Sequence, residues 1–345
     1  MASQSSHPGL VDNLVVFLSR SIDIIFGTDT RKIQLFLSAS QGNLGRVKSL
    51  VYSGADLNAS DKNGENVMHK ASRSSNPDLV DYLLSQGFDI NCRNVTGQTP
   101  ILLSAFNGKL DMVNHLINSG ADLNASDKNG ENVMHLASRS SNPDLVDYLL
   151  SQGFDVNCRN VTGLTPILLS ALEGKLDMVK HLINSGADLN ASDKNGENVM
   201  HLASRSSNPD LVDYLLSQGF DVNCRNVTGK TPILLSAREG KLDMVKHLIN
   251  SGANLNASDK DGENVMHLAS RSSNPNLVDY LLSQGFDVNC RNVTGQTPIL
   301  LSAREGKLDM VKHLINSGAD LNASDKNGEN KCHRSDPNIA LGKGG

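Results

Sequence analysis

Four cysteines and eight histidines are the side chains that could do chemistry, if their spacing brought them together. Cys92, Cys158, Cys224 and Cys290 follow one another at 66 residues, and so do His69, His135, His201 and His267 and, separately, His115, His181, His247 and His313. Thiol and imidazole are zinc ligands and nucleophile–base partners. A fixed long interval, however, sets copies of one group along a line, whereas a metal centre or catalytic pair needs different groups converging at one point. No G-x-S-x-G, H-E-x-x-H or Walker A pattern occurs, and Gly342-Lys343-Gly344-Gly345 lacks the strand and helix that a phosphate loop requires. The expectation is a non-enzymatic protein with no metal, no cofactor and no small-molecule substrate.

The 345 residues carry 32 Lys and Arg against 37 Asp and Glu, a formal charge of −5, with no Trp. A polyanion binder usually shows a basic domain, so nucleic acid is not the first partner suggested. The longest apolar run near the N-terminus, Leu14 to Leu18, is followed by Arg20 and Asp23 and is far short of the ~18 residues of a membrane span. No basic stretch precedes a cleavage site, so no secretory signal is read. A monomer in the cytoplasm or nucleus with reduced cysteines follows as the expectation, and sequons such as Asn58-Ala59-Ser60 read as loop composition.

The elements that must position these residues are repeats. The 66-residue period splits into two weakly similar halves of 33, giving units 28–60, 61–93, 94–126, 127–159, 160–192, 193–225, 226–258, 259–291 and 292–324, flanked by segments 1–27 and 325–345. Each half predicts two short helices and an extended turn. In unit 94–126, Thr99 suits an N-cap and Pro100 the first helical position. Ile101, Leu102 and Ala105 supply an apolar stripe that ends at Gly108; Leu110, Val113, Leu116 and Ile117 supply a second that stops at Gly120. In the other half Asn66 takes the place of Thr, and Asn76-Pro77-Asp78 opens the second helix, whose apolar side is Leu79, Val80, Leu83 and Leu84 and which Gly87 closes. In the N-terminal segment, Leu10, Leu14, Leu18 and Ile22 predict an amphipathic helix covering the first repeat. At the other end, Asp325 to Asn330 starts a further unit that Lys331-Cys332-His333 abandons, as in a truncated or frame-shifted array.

The pattern Gly97-x-Thr99-Pro100-Ile101-Leu102-x-x-Ala105-x-x-Gly108-x-Leu110-x-x-Val113-x-x-Leu116-Ile117-x-x-Gly120-Ala121-Asp122 resembles the ankyrin repeat. The resemblance runs without insertion over nine units, 297 of the 345 residues. It implies an all-α solenoid: a right-handed stack of helix-turn-helix units, with projecting hairpin turns and first helices lining a concave face. The family's Thr-Pro-Leu-His becomes Thr-Pro-Ile-Leu in one half and Asn-Val-Met-His in the other. His69, His135, His201 and His267 are therefore expected to hold turn geometry, with His115 and its copies as surface residues. Cysteines two layers apart would lie ~20 Å from each other at ~8–10 Å per layer, beyond the ~7 Å of a disulfide, so they read as small packing residues. The resemblance also implies that Asn91, Asn157, Asn223 and Asn289 are substrates of an asparaginyl hydroxylase.

Function is sought where the copies disagree. Units 127–159 and 193–225 are identical, while the other half varies. The residue before Thr reads Gln98, Leu164, Lys230, Gln296, and the last residue of the first helix reads Phe106, Leu172, Arg238, Arg304. In the ankyrin family these positions are the hairpin tip and the groove. The expectation is a scaffold or adaptor that binds a protein of unknown identity through them. Phe106, Leu164 and Leu172 would be exposed apolar anchors, and Arg205, Arg238, Arg271 and Arg304 a basic line for an acidic face. Glu131, Glu197, Glu263, Glu239 and Glu305 stand where they could cancel that charge. Two alternatives remain: a spacer or fragment without a specific partner, and an anionic-polymer binder using the Arg205–Arg304 ladder.

Overall fold

A computed structural model describes residues 29–329; the expected N-terminal helix and the tail beyond 329 lie outside them. Eighteen helices and no strands occur among the described residues. Their contacts divide the chain after Val161 into two compact units. The first unit holds α1 (Asp29–Ser40), α2 (Leu44–Tyr52), α3 (Val67–Ser72), α4 (Pro77–Ser85), α5 (Pro100–Phe106), α6 (Leu110–Asn118), α7 (Val133–Arg139) and α8 (Pro143–Ser151). The second holds α9 (Pro166–Leu172), α10 (Leu176–Asn184), α11 (Val199–Arg205), α12 (Pro209–Ser217), α13 (Pro232–Arg238), α14 (Leu242–Asn250), α15 (Val265–Ser270), α16 (Pro275–Ser283), α17 (Pro298–Arg304) and α18 (Leu308–Asn316). Within each unit every odd-numbered helix packs on the odd-numbered helices before and after it and on the even-numbered helix that follows. Each is thus an all-α solenoid of helix pairs.

Helices this short are unstable alone, and burial makes them. All of α5 from Pro100 to Ala105 is buried. In α6 the buried stripe is Met112, Val113 and Leu116, whereas Leu110 and Ile117, expected on that stripe, are only half-buried. Apolar side chains of this size contribute ~1.5–3 kcal/mol each when fully buried, which offsets the ordering of a turn-rich chain. A glycine with positive φ closes each helix pair, as at Gly87 (φ 86°) and Gly120 (φ 92°).

The two halves start their first helices differently. Asn66 Oδ1 accepts from the N–H groups of Met68 and His69, and the Asn66 N–H donates back to His69 Nδ1. The same reciprocal cap recurs at Asn132, Asn198 and Asn264. Thr99, expected to cap through its side chain, makes no such bond. Its hydroxyl is buried without a partner, as are those of Thr165, Thr231 and Thr297. At the third helical position Leu102 stands in the place of His69, so the ring contact that Asn66 Oδ1 makes with His69 Nδ1 (2.7 Å) has no counterpart.

Two kinds of interface alternate. Where a Thr-Pro half follows an Asn-Val-Met-His half, Ser236 Oγ donates to Ser204 O (2.7 Å) and the His201 ring lies 3.2 Å from Lys230 O. Where the order is reversed, Asn274 Nδ2 donates to Gly240 O (2.8 Å) and the Lys260 N–H to Thr228 O (3.0 Å).

Candidate functional site

Each side chain expected to face a groove stands at the C-terminal end of a first helix. Phe106, Leu172, Arg205, Arg238 and Arg304 are the last residues of their helices, and Arg73 and Arg271 are C-caps. Gln98, Leu164, Lys230 and Gln296 sit one residue ahead of the helix N-caps, at the base of the hairpins and not at the expected tip, since Asn94 N donates to Gln98 O across the turn and Asn226 N to Lys230 O. All four are half-buried.

In the first unit Phe106 keeps 44% of its surface exposed. The Arg139 guanidinium lies 5.4 Å from its ring centroid, a cation–π arrangement, and also pairs with Glu131 at 3.1 Å. Arg73 holds Glu65 through two hydrogen bonds of 2.5 and 2.7 Å, and Lys70 pairs with both Glu65 and Asp61. The Arg73 guanidinium, helped by Lys70, holds the Glu65 carboxyl down at about 2 despite its burial.

The second unit differs from expectation in two respects. Leu164 and Leu172, read as exposed anchors, are half-buried. Their side chains lean on the stack and leave only part of their surface to a partner. The line of arginines is also not a free basic field. Arg205 pairs with Glu197 (3.1 Å) and Glu239 (3.0 Å), and Arg271 with Glu263 (2.9 Å) and Glu305 (2.5 Å). Lys230 pairs with Asp259 at 2.8 Å. Exposed Arg238 reaches Glu305 only at 3.8 Å, and Arg304 makes no ion pair among the described residues. A polar cleft of about 420 Å³ lies beside Arg304, lined also by Glu263, Arg271, Asn292, Gln296 and Glu305.

Four of the paired glutamates are themselves buried, at 5–7% exposure for Glu65, Glu131, Glu197 and Glu263, whereas Glu239 and Glu305 are exposed. Leu202 and Leu268 occupy the place of Lys70, so burial prevails and raises the Glu197 and Glu263 carboxyls above their ordinary range. Sequence reading missed that burial. The signal was present as a Glu followed eight residues later by Arg in four copies.

The turn histidines are buried, and burial pushes His69, His201 and His267 below the usual imidazole range. Nε2 of each faces the carbonyl of Gln98, Lys230 or Gln296 at 3.2–3.3 Å. His135 carries the same Asn-linked ring contact. These rings therefore fix the backbone that presents the variable side chains at the hairpins. Cys92 Sγ lies 3.7 Å from His69 Nδ1, but burial pushes this thiol and its three copies up to about 11. That is the reverse of the activation a nucleophile needs. His115, His247 and His313, read as plain surface residues, lie 2.8–2.9 Å from Asp81, Asp213 and Asp279 of the preceding repeat.

Asn91, Asn223 and Asn289 are clamps between repeats. Asn223 Oδ1 accepts from Asn254 N (2.7 Å) while its Nδ2 donates to Gly252 O (3.2 Å). Asn289 does the same with Asp320 and Gly318, and Asn91 Oδ1 accepts from Asp122 N. Asn157 is half-buried at the matching place.

No helix among the described residues is long and apolar enough to cross a membrane. Nor do three or more His, Cys, Asp or Glu side chains among them gather at metal-binding distance.

The family described as ankyrin repeats (3 copies) matches residues 2–94, 35–127, 74–160, 134–226, 200–292 and 274–334. An L-asparaginase of Dirofilaria immitis is 35% identical over 75 residues, a match covering 21% of this chain and 13% of that protein. Such a share of the longer protein carries no activity across. Ankyrin repeats are in general protein–protein interaction modules and typically non-enzymatic. With matches reaching from residue 2 to 334 and helix pairs repeating every 33 residues, the chain belongs to the ankyrin-repeat family.

Proposed function

We propose that this protein is a non-enzymatic scaffold or adaptor of the cytoplasm or nucleus. It recognises a protein partner with the side chains at the ends of its first helices and at its hairpin bases. One observation carries the reading. The Thr-Pro halves keep the same packing residues, yet differ at Gln98/Leu164/Lys230/Gln296 and Phe106/Leu172/Arg238/Arg304, all of which retain solvent access. In the first unit Phe106 offers an apolar anchor; in the second, Arg238 and Arg304 are the arginines least committed to internal glutamates.

The chain itself supplies fold-compatible replacements for a test. Leu164→Gln with Leu172→Arg gives that module the residues of its sister copies, and Phe106→Arg does so in the first unit. Partners captured from source-cell lysate by the wild type should be lost by this triple variant, with stability changed by no more than about 1 kcal/mol. Unchanged capture would sink the reading. Against the anionic-polymer alternative stands the double pairing of Arg205 and Arg271. Binding that collapses with added salt whatever the partner's sequence would nevertheless favour it, and absence of any binding would favour a spacer. The hydroxylation proposed for Asn91, Asn157, Asn223 and Asn289 adds one oxygen each to the intact mass.

A further inference from the structure

Three of the cations left free in the second unit lie at its hairpin edge. Lys194, Lys260 and Lys326 are exposed and make no ion pair among the described residues, in contrast to Arg205 and Arg271. Between them stand Val227 and Val293, 55% and 53% exposed. The five form consecutive rungs. The N–H of each donates to a carbonyl of the hairpin before it: Lys194 to Thr162, Val227 to Asn195, Lys260 to Thr228, Val293 to Asp261 and Lys326 to Thr294, at 2.9–3.0 Å. Gly196 permits this contact, because a Cβ there would stand 2.8 Å from Val227 Cγ1. The neighbouring aspartates are turned inward: Asp193, Asp259 and Asp325 Oδ1 accept from N–H groups of their own turns. From residue 62 to residue 326 these tips alternate Lys and Val in every repeat, whereas the first unit has Asp29 there, while the helix ends vary.

From this edge we infer a docking rail for an acidic polyproline-II segment, one that presents carboxylate and aliphatic side chains alternately at every third residue. The inference rests on the protein-recognition reading above and adds a second surface to it. Charge selects the acid and the exposed valines select the aliphatic residue. The rung interval selects the conformation. Layers ~8–10 Å apart match a polyproline-II turn of three residues, ~9.3 Å, which returns side chains to one face. A β-strand turns residue i+3 to the opposite face. An α-helix needs seven residues and ~10.5 Å, and drifts ~20° on each step. Asp261, where the other copies have Asn, is exposed beside Lys260 and weakens the middle rung.

The probe is a fluorescent peptide of two Asp-Pro-Pro-Val-Pro-Pro blocks closed by Asp, titrated with the full chain. Saturable binding is expected. It should weaken about tenfold or more in the Lys194→Ala/Lys260→Ala/Lys326→Ala variant and tighten in Asp261→Asn. Lys312→Ala, which removes an exposed lysine away from the edge, should leave it unchanged. Thermal melting checks that each variant is folded. Absence of wild-type binding, equal affinity for a scrambled peptide, or equal affinity in the triple variant overturns the rail. Cellular partners retained by the triple variant but lost on Phe106→Arg/Leu164→Gln/Leu172→Arg would keep protein recognition while removing this surface from it.

Discussion

The helix-end row and the hairpin edge of the second unit carry similar numbers of basic residues, but two of the row's arginines are each held by a pair of glutamates. These are Arg205 and Arg271; at the edge Lys194, Lys260 and Lys326 have no such partner among the described residues. An acidic partner of the edge meets its cation directly, whereas one at Arg205 or Arg271 must compete with carboxylates already in place. Positive residues counted along a sequence thus say little about where positive charge is available.

The contrast is broken most readily through stability. Glu263→Ala leaves Arg271 with Glu305 alone and opens a site that is 6% exposed; unfolding free energy should fall by ~1–3 kcal/mol. Lys260→Ala should stay within ~0.5 kcal/mol. Equal losses in denaturant titrations would show that the two rows are not different in kind.

Next in size is the contrast between helix starts. Asn198→Ala removes the reciprocal cap and should cost ~1 kcal/mol. Thr231→Val removes a buried hydroxyl that has no partner and should be neutral or stabilising. A comparable loss at Thr231 would mean that its hydroxyl is satisfied after all.

A third contrast is in proton binding. Glu65, at about 2 in the fold against an ordinary 4.5, contributes stability that is complete above pH 4.5 and is lost as pH falls toward 2. Glu197 and Glu263 are shifted up, so their ionisation opposes folding as pH rises through 4.5. Lys70→Leu gives Glu65 the surroundings of its copies. Carboxyl carbon titration by NMR should then move Glu65 upward, and an unmoved midpoint would assign its depression to Arg73 alone.

Much of this was legible beforehand. The 33-residue units, the proline-led helices and the closing glycines follow from local rules, and the helices occupy the expected places. Features that depend on two repeats, or on a turn folded over a helix, were not legible. Thr99 has the propensity of a capping residue, yet its hydroxyl is buried without a partner, and Leu102 offers no ring like that of His69. Glu197 and Arg205 are eight residues apart, a separation with no helical or strand meaning; they meet only because the hairpin folds back over the helix end. Leu164 and Leu172 were read as exposed from their place in the repeat, and neighbouring packing leaves them half-covered.

The alternation of two interfaces bears on how such a gene can lengthen or shorten. Unequal crossing-over that adds or removes 66 residues joins an Asn-Val-Met-His half to a Thr-Pro half in the usual order at both seams. The His201-to-Lys230 contact and the Asn274-to-Gly240 bond are each regenerated in the new copy. A slip of 33 residues that places two Thr-Pro halves side by side leaves that seam without either donor, since Leu234 and Lys241 stand where the other half has His201 and Asn208. Recombination is therefore free in steps of the pair and penalised in steps of the single repeat, which matches a chain whose near-identical copies are pairs.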